Sequence, residues 1–396
     1  MENKGSLSVV PTFDVEGPSD CSYKGNKKGL PNYGKLKTWK EIEQDLETIL
    51  FSGFRLSCTD SQGNPIKYTW FWLDWSGFLE NPREQVCGYH AVYDHLKKFF
   101  RDNMTQYNDE DAIHYHNPRQ DGSWFSNETY PFEQWNTQFQ RSPFEQILAH
   151  HLIDKRWFPT AFRAGGSIED EALSQFLNCT IPIDFSCRGD GSFSIGKNNQ
   201  ILYDWCGTPS DWSWYHPKQG DYKKIGEMER FIFTALDHGK MRSNGLFTRQ
   251  KVREGFEKAS RGENVVIAYA LHDFDPKKTE DIILAHEWLV SAAKEFGIKW
   301  AYETATGAAK KVLGKENKEK LVINFSPGSG LIESSKFLFG LPFVAIKHPN
   351  SYDCQVIPAV KKTESTYQIT EIPEKGRIYI SATDSDFNNS ILTCDL

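Results

Sequence analysis

Predicted strands and amphipathic helices alternate along most of the chain, up to about Leu313. The strand candidates are short apolar segments with the sequences LSVVPTF, YTWFWLDW, DAIHYH, FPTAFRAG, IPIDFS, NVVIAYALH and IKWAY. The helix candidates place apolar residues three and four positions apart and have the sequences TWKEIEQDLETIL, PREQVCGYHAVYDHLKKFF, PFEQILAHHLIDK, SIEDEALSQFL (capped by Ser167), TRQKVREGFEKAS and TEDIILAHEWLVSAAKEF. Such alternation indicates a parallel sheet, and about seven strands favour its closure into a barrel.

The pattern changes after about Gly314. A lysine-rich polar stretch, GKENKEK, is followed by alternating runs without helical periodicity: LVINFS, KFLFG, FVAIKH, TYQITEI and RIYISAT. These runs predict a small β-sandwich-like domain, with packing or assembly favoured over sugar binding as its role. We therefore predict an α/β barrel over residues 1–313, with an insertion near residues 18–65 that forms a lid or wall, and an all-β accessory domain over residues 320–396.

Composition narrows the function classes. Hydrophobic residues make up 39% and charged residues 25% of the chain, which is typical of a globular protein. The net charge of −7 and the lack of a clustered Lys/Arg stripe argue against nucleic acid as a partner. No apolar run is long enough to span a bilayer and no secretion signal opens the sequence, so we expect a cytoplasmic protein. Assembly into a homo-oligomer is left open.

Two carboxylates stand two residues apart at the end of the first predicted strand, in the stretch Thr12-Phe-Asp14-Val-Glu16-Gly-Pro18. Residues two apart share one face of a strand. Such close acids repel each other unless a cation lies between them or one is protonated, so the pair suggests a metal ligand beside a general base. Taken alone, an acidic turn that caps the next segment is the commoner explanation.

Two histidines, His114 and His116, are spaced in the same way at the end of the strand DAIHYH. Both imidazoles can face one side, which makes them a workable pair of zinc ligands. One carboxylate and two histidines would form a three-ligand set that leaves positions open for water and substrate, as a catalytic metal requires.

Two further strand ends carry reactive groups. Arg163 precedes two glycines after the strand FPTAF, where the backbone can approach a ligand closely. His272 ends the buried strand type VVIAYALH and is followed by Asp273 and Asp275. A histidine with a carboxylate neighbour is a natural general acid, because the carboxylate raises its pKa towards neutral pH. A surface histidine at a strand end is the alternative.

Together these segments resemble the polysaccharide deacetylase family, that is, the NodB homology domain or carbohydrate esterase family 4. The matching stretches are TFDVEGP, HYHNP, FRAGG, IDFS and LHDFD, over roughly Leu7 to Ala309. The resemblance implies a distorted (β/α)7-type barrel and a divalent metal, most commonly zinc. It implies the following roles: Asp14 as general base, Glu16, His114 and His116 as metal ligands, Arg163 as the group that orients Asp14, Asp184 as support, and His272 as general acid.

The first motif differs from the common family form in having one residue between its acids and Glu in place of Asp on the metal side. Which of Asp14 and Glu16 is the base and which the ligand is therefore open. The implied activity is hydrolysis of an N-acyl group, usually N-acetyl, from a sugar nucleotide, lipid-linked sugar or oligosaccharide in synthesis of a bacterial-type surface polysaccharide such as lipopolysaccharide. A deformylase, another amidohydrolase on a non-polymer substrate, and an inactive glycan-binding barrel are the alternatives.

Aromatic side chains suggest where a sugar would lie. The chain has 12 Trp and 16 Tyr, and the segment DWSWYHP is polar at its ends. We predict that Trp212, Trp214 and Tyr215 line the cleft and stack on a sugar ring, and that Asp273 contributes to substrate binding. A packed loop is the alternative for the aromatic segment.

Overall fold

The computed structural model describes residues 5–17, 38–73, 91–117, 138–195, 199, 201–238, 245–317, 319–347, 354–372 and 375–396. Part of the predicted insertion, residues 18–37, and the beginning of the predicted helix PREQVCGYHAVYDHLKKFF lie outside these ranges. Within them, no helix combines the length and the apolar character that crossing a bilayer requires.

The secondary structure of the described residues is as follows. The helices are α1 (Trp39–Leu50), α2 (Ser52–Ser57), α3 (Ala91–Gln106), α4 (Arg141–His150), α5 (Glu171–Asn178), α6 (Arg249–Ser260), α7 (Lys278–Phe296) and α8 (Ala305–Val312). The strands are β1 (Leu7–Val15), β2 (Thr69–Leu73), β3 (Glu110–Tyr115), β4 (Ala161–Ala164), β5 (Ile183–Cys187), β6 (Phe193–Ile195), β7 (Ile201–Asp204), β8 (Trp214–Tyr215), β9 (Pro217–Lys218), β10 (Asp221–Ile225), β11 (Phe231–Asp237), β12 (Val265–His272), β13 (Ala301–Tyr302), β14 (Ile323–Ser326), β15 (Leu331–Ser334), β16 (Leu338–Lys347), β17 (Cys354–Ile357), β18 (Ala359–Lys361), β19 (Thr366–Ile369), β20 (Arg377–Asp384) and β21 (Asn389–Asp395).

Seven parallel strands close into a barrel in the order β1, β2, β3, β4, β5, β11 and β12, and β12 pairs with β1. The predicted α/β barrel is confirmed. Successive side chains of each strand alternate between the interior and the helix-covered outside. Interior positions form one apolar cluster that includes Val10, Phe71, Ala112, Ala161, Ile183, Phe185, Phe233, Ala235, Val266 and Ala268. Outward residues such as Val9 and Ile267 pack with helix residues such as Leu46 and Leu289. Apolar side chains on both faces explain the near-continuous apolar strand sequences.

One barrel strand differs from the predicted set. IKWAY supplies only the two-residue strand β13, which pairs with β1 beside the barrel, whereas β11 completes the closure. The sequence FIFTALD of β11 does not follow the alternation of strands and helices. The described residues between β5 and β11 form the short strands β6 to β10 and no helix. A second difference is the cap of α5, which is Asp170, because Ser167 is taken up in a preceding 3₁₀ turn.

Helix α8 lies against the amino-terminal end of the barrel. Its residues Ala305, Ala308 and Val312 join the interior apolar cluster. The backbone N–H of Ala305 donates to Thr69 Oγ1, at the beginning of β2, at 2.9 Å. This helix covers the amino-terminal end of the barrel, and in such barrels sites lie at the opposite end, where the strands end.

The C-terminal strands form two four-stranded antiparallel sheets, in the orders β14-β15-β19-β18 and β17-β16-β20-β21. Apolar residues of both sheets meet in one core, for example Ile332 and Tyr367 of the first with Val344 and Ile380 of the second. The arrangement is that of a small sandwich. KFLFG and FVAIKH belong to one strand, β16, which has an irregularity between Phe339 and Phe343.

The sandwich packs on the barrel at α4. Phe343 and Tyr379 of the second sheet share an apolar cluster with Phe144 and Ile147 of α4. On another side of the barrel, the described part of the predicted insertion contains α1 and α2. The buried residues of α1, such as Leu46, pack in the same layer as the other crossover helices.

Candidate active site

Six of the predicted site residues converge at the carboxyl end of the barrel. Asp14 is paired with His272 across β1 and β12, and His114 with Arg163 across β3 and β4. The side chain at each position is on the interior side of its strand. Its residue number differs by an even number from that of an interior apolar residue of the same strand, such as Val10, Ala112, Ala161 or Val266. The residues that meet there are Asp14, Glu16, His114, His116, Arg163 and His272.

Glu16, His114 and His116 form a compact group of potential metal ligands. The Nε2 atoms of His114 and His116 are 3.0 Å apart. Glu16 Oε1 lies 3.4 Å from His114 Nε2 and 3.6 Å from His116 Nε2. Ligand atoms about 2.0–2.2 Å from a tetrahedral zinc ion lie about 3.3–3.6 Å from one another. The three side chains therefore fit a single cation with little movement.

Hydrogen bonding fixes the orientation of His114. Its Nδ1 lies 3.1 Å from the carbonyl oxygen of Arg163, which can only accept, so Nδ1 carries a proton. In a neutral imidazole, Nε2 of His114 then carries a lone pair, which is directed at the Glu16 carboxylate and the imidazole of His116. These electron-rich atoms repel one another unless a proton or a cation lies between them. A hydrogen bond from the other ring nitrogen to the backbone, as Nδ1 makes here, is usual for metal-binding histidines.

The protonation tendencies of the three ligands differ. Burial opposes ionisation of Glu16, but hydrogen bonds from His114, His116 and His272 hold its pKa well below the usual value. Burial also lowers the pKa of His116, to about 4, so this imidazole is neutral at physiological pH. For His114 burial acts in the same direction, but Asp14 and Glu16 raise its pKa above the ordinary value.

Gly165 makes room for the imidazole of His116. A Cβ atom at this glycine would lie 2.2 Å from Cγ of the ring, far inside contact distance. The sequence predicts close approach of a ligand at this glycine; in the structure, the group that approaches it is a side chain of the protein.

We expect Gly165→Ala to displace His116 and weaken binding of Zn²⁺ or Co²⁺ by at least about tenfold, the lower range for disturbing the support of a ligand. A titration of the purified variant against a chelating indicator measures the change. Gly328→Ala is the matched control, since its added Cβ meets nothing within 4 Å. An unchanged dissociation constant in Gly165→Ala would show that the ring position is irrelevant to binding.

Asp14 is held by Arg163, whose Nη1 donates to Oδ1 at 2.6 Å. The guanidinium lies over the ring of Phe71, at 4.3 Å from its centroid, and its Nε donates to the carbonyl oxygen of Phe185. Burial would raise the pKa of Asp14, but the charges of Arg163, His114 and His272 lower it below its usual value. Asp14 is thus an ionised carboxylate in a fixed orientation.

His272 lies beside both acids. Its Nε2 is 3.5 Å from Glu16 Oε1 and 4.0 Å from Asp14 Oδ2. Behind it, Asp275 Oδ2 accepts from the backbone N–H of His272 at 3.1 Å and lies 3.8 Å from Nδ1. The sequence indicated a contact between Asp275 and His272 only because the two residues are close in the chain. The Asp275 carboxylate faces Nδ1 of His272, whereas Nε2 faces Glu16 of the ligand group.

Asp184 has the opposite orientation on β5, between the interior residues Ile183 and Phe185. Its carboxylate is fully buried and accepts from Arg230 Nη1 at 2.5 Å and from the backbone N–H of Ser186 at 2.7 Å. Ser186 Oγ in turn accepts from the backbone N–H of Ala164 at 2.8 Å. Its link to the site thus runs through the backbone next to Arg163. Its partner Arg230 is distant in sequence and carries no motif that would predict the contact.

The four predicted substrate-binding residues differ in burial. Trp212 is 2% exposed, packs in the layer beneath the helices and donates its Nε1–H to the carbonyl oxygen of Lys251, while Tyr215 is 4% exposed. Trp214 is half-buried against Phe231. Asp273 is fully buried, and burial raises its pKa to about 7. Contact of these residues with a substrate stays a prediction.

Comparison with known proteins adds no family assignment. No protein-family model matches the chain, and no curated protein does. Solved structures with a similar arrangement include the Xyl-CE4 domain of a multidomain xylanase from the hindgut metagenome of Trinervitermes trinervoides, at 12% identity and a TM-score of 0.31, covering 78% of this chain and 91% of that one. Another is a GH57 branching enzyme from Thermococcus kodakaraensis, at 9% identity and a TM-score of 0.33, covering 80% of this chain and 72% of that one. Similarities this low carry no argument about activity.

Proposed function

We propose that the protein is a metal-dependent hydrolase that removes an N-acyl group, most commonly acetyl, from a sugar. One observation carries the proposal: the ligand group of Glu16, His114 and His116 lies at the carboxyl end of the barrel beside an ionised carboxylate, Asp14, and a histidine, His272, whose Nε2 is 3.5 Å from Glu16 Oε1 and 4.0 Å from Asp14 Oδ2. A binding module has no need for a base and an acid beside a metal site.

The donor set suits a divalent cation, and zinc best, because two imidazoles and one carboxylate are ligands that zinc commonly combines in catalytic sites. Glu16, His114 and His116 would hold it. When bound, the cation would polarise the acyl carbonyl and make a water molecule more acidic.

The protein's own groups would divide the proton transfers. Asp14, oriented by Arg163, takes a proton from the attacking water as its oxygen bonds to the acyl carbon. His272 gives a proton to the amide nitrogen as the C–N bond breaks, so that the amine does not leave as an anion. The products are a carboxylic acid and a sugar amine, and proton exchange with solvent restores both residues.

The substrate of this reaction is proposed to be an N-acylated sugar nucleotide, lipid-linked sugar or oligosaccharide used in surface-polysaccharide synthesis in the cytoplasm. The support is the order and type of the five sequence motifs that resemble polysaccharide deacetylases. The test is release of acetate from a panel of N-acetyl sugar nucleotides and oligosaccharides by full-length protein, stripped of metal and then reloaded with Zn²⁺ or Co²⁺. Release of formate from N-formyl sugars instead would identify a deformylase, and no release from either panel would contradict the proposal.

We expect metal affinity to depend on pH through His114. Its pKa lies above the ordinary value of 6.5 in the metal-free protein, so a proton competes with the cation for Nε2. Affinity should therefore be constant above this pKa and fall by up to tenfold for each pH unit below it. Because the pKa of His116 is about 4, this second histidine takes up a competing proton only at acidic pH near that value. Zn²⁺ titrations between pH 5 and 9 measure the slope; a flat profile would exclude His114 as the competing ligand.

A further inference from the structure

Asp273 contacts three backbone groups at the end of β1. Its N–H donates to the carbonyl oxygen of Asp14 at 3.2 Å. Its carboxylate accepts from the backbone N–H of Glu16 at 3.0 Å through Oδ1 and from that of Gly17 at 2.9 Å through Oδ2. Asp273 therefore bridges the strand that carries His272 to the stretch that carries Asp14 and Glu16.

The local conformation explains why this bridge is needed. β1 ends at Val15 and β12 ends at His272, so the pairing of these two strands stops before Glu16 and Gly17. Gly17 adopts a left-handed conformation with φ 82°, which ends the extended conformation of the strand. The N–H of Glu16 is partly buried and that of Gly17 is buried. Such groups are costly without acceptors, and a carboxylate accepts from both at once.

Asp273 has no exposed surface, and both of its carboxylate oxygens accept from backbone N–H groups. It is not one of the three side chains of the ligand group. Its effect on the site passes through the backbone of Glu16, whose side chain supplies the carboxylate of the ligand group.

We propose that Asp273 is a positioning residue that fixes the backbone of Glu16 and Gly17 and thereby places the Glu16 carboxylate for metal binding. This inference rests on the metal site of the proposed function, but not on the identity of its substrate. It gives the third residue of the LHDFD motif a role in the geometry of the first motif, 257 residues away in sequence.

The test is the affinity of the full-length protein for Zn²⁺ and Co²⁺, measured by competition with a chelating indicator. In Asp273→Asn one oxygen is replaced by an NH₂ group, which faces a backbone N–H and cannot accept from it. We expect the dissociation constant to rise by about 10–100-fold, the usual effect of losing a partner that orients a ligand. Asp273→Ser, which is smaller and keeps a hydroxyl acceptor, should give a rise in the same direction and serves if the asparagine variant does not fold.

Asp384→Asn is a matched control in the sandwich. Asp384 is equally buried and accepts from two backbone N–H groups, those of Asp386 at 2.9 Å and Asn388 at 2.8 Å. Its loss should lower the melting temperature and leave metal affinity unchanged. If the Asp273 variants keep wild-type affinity, or lose no more than the control does, a purely structural role is established and the inference is wrong.

The outcomes for the two proposals are separable. Metal binding by the wild type with no acyl release from any substrate contradicts the proposed function and leaves the role of Asp273 to be decided by the affinities. A wild-type protein that binds neither Zn²⁺ nor Co²⁺ overturns both.

Discussion

Asp14→Asn should lower kcat/KM for acyl release by about 10²–10⁴ while the protein keeps its metal. The amide oxygen can still accept from Arg163, which donates to Asp14 Oδ1 at 2.6 Å, so the orientation of the side chain survives. What is lost is a group that can take a proton at neutral pH. Rates of acetate release together with metal content per protein chain give the two quantities required.

Glu16→Gln is the comparison that makes this result specific. Glu16 Oε1 lies within 3.6 Å of both ligand nitrogens, so its replacement should remove metal and activity together. If Asp14→Asn strips the metal while Glu16→Gln retains it and abolishes turnover, the base and the ligand must be exchanged. If neither Asp14→Asn nor His272→Ala slows acyl release, the hydrolase assignment itself is untenable.

His114→Ala should leave the protein without stoichiometric metal and without measurable acyl release. The variant removes one of three ligand atoms, the one whose orientation is fixed by the carbonyl oxygen of Arg163. Loss of activity should be as large as that produced by exhaustive chelation of the wild type, because both remove the same Lewis acid. Elemental analysis after gel filtration measures the metal.

His150→Ala controls for the deletion of a buried imidazole. His150 is 1% exposed, like His114, but lies on α4 next to the sandwich residue Cys354. This variant should be destabilised and should still bind metal. Stoichiometric zinc in His114→Ala, with the fold intact, would rule out the ligand set of Glu16, His114 and His116.

The parts of the site that sequence predicted share a simple basis. Glu16 with Asp14, and His116 with His114, are each spaced by two at a strand end, and this spacing alone places both members on one face. The parallel barrel then brings all strand ends to one side. Local patterns therefore predicted the interior groups well, because interior position is set by the parity of residues along each strand.

The parts that sequence did not predict depend on contacts between distant segments. Asp273 is adjacent to His272 in sequence but lies in the turn after β12, where its carboxylate meets the backbone of Glu16. The aromatic rings of Trp212 and Tyr215 are compatible with a cleft or a core, and only packing decides between them. For β11 the alternation with helices fails because short strands replace the helix that the pattern requires.

The register between β1 and β12 also bears on how the chain folds during synthesis. β1 leaves the ribosome first, but its partner along Leu7 to Asp14 begins at Val265 and ends at His272. At translation rates of about 5–20 residues per second, the first strand waits roughly 10–50 s for this neighbour. During that time one edge of an apolar strand is unpaired, and such edges associate readily with other chains. Barrel closure and assembly of the site therefore occur late and at the same time. The yield of folded protein in a cell should depend on whether a chaperone shields the amino-terminal part of the nascent chain.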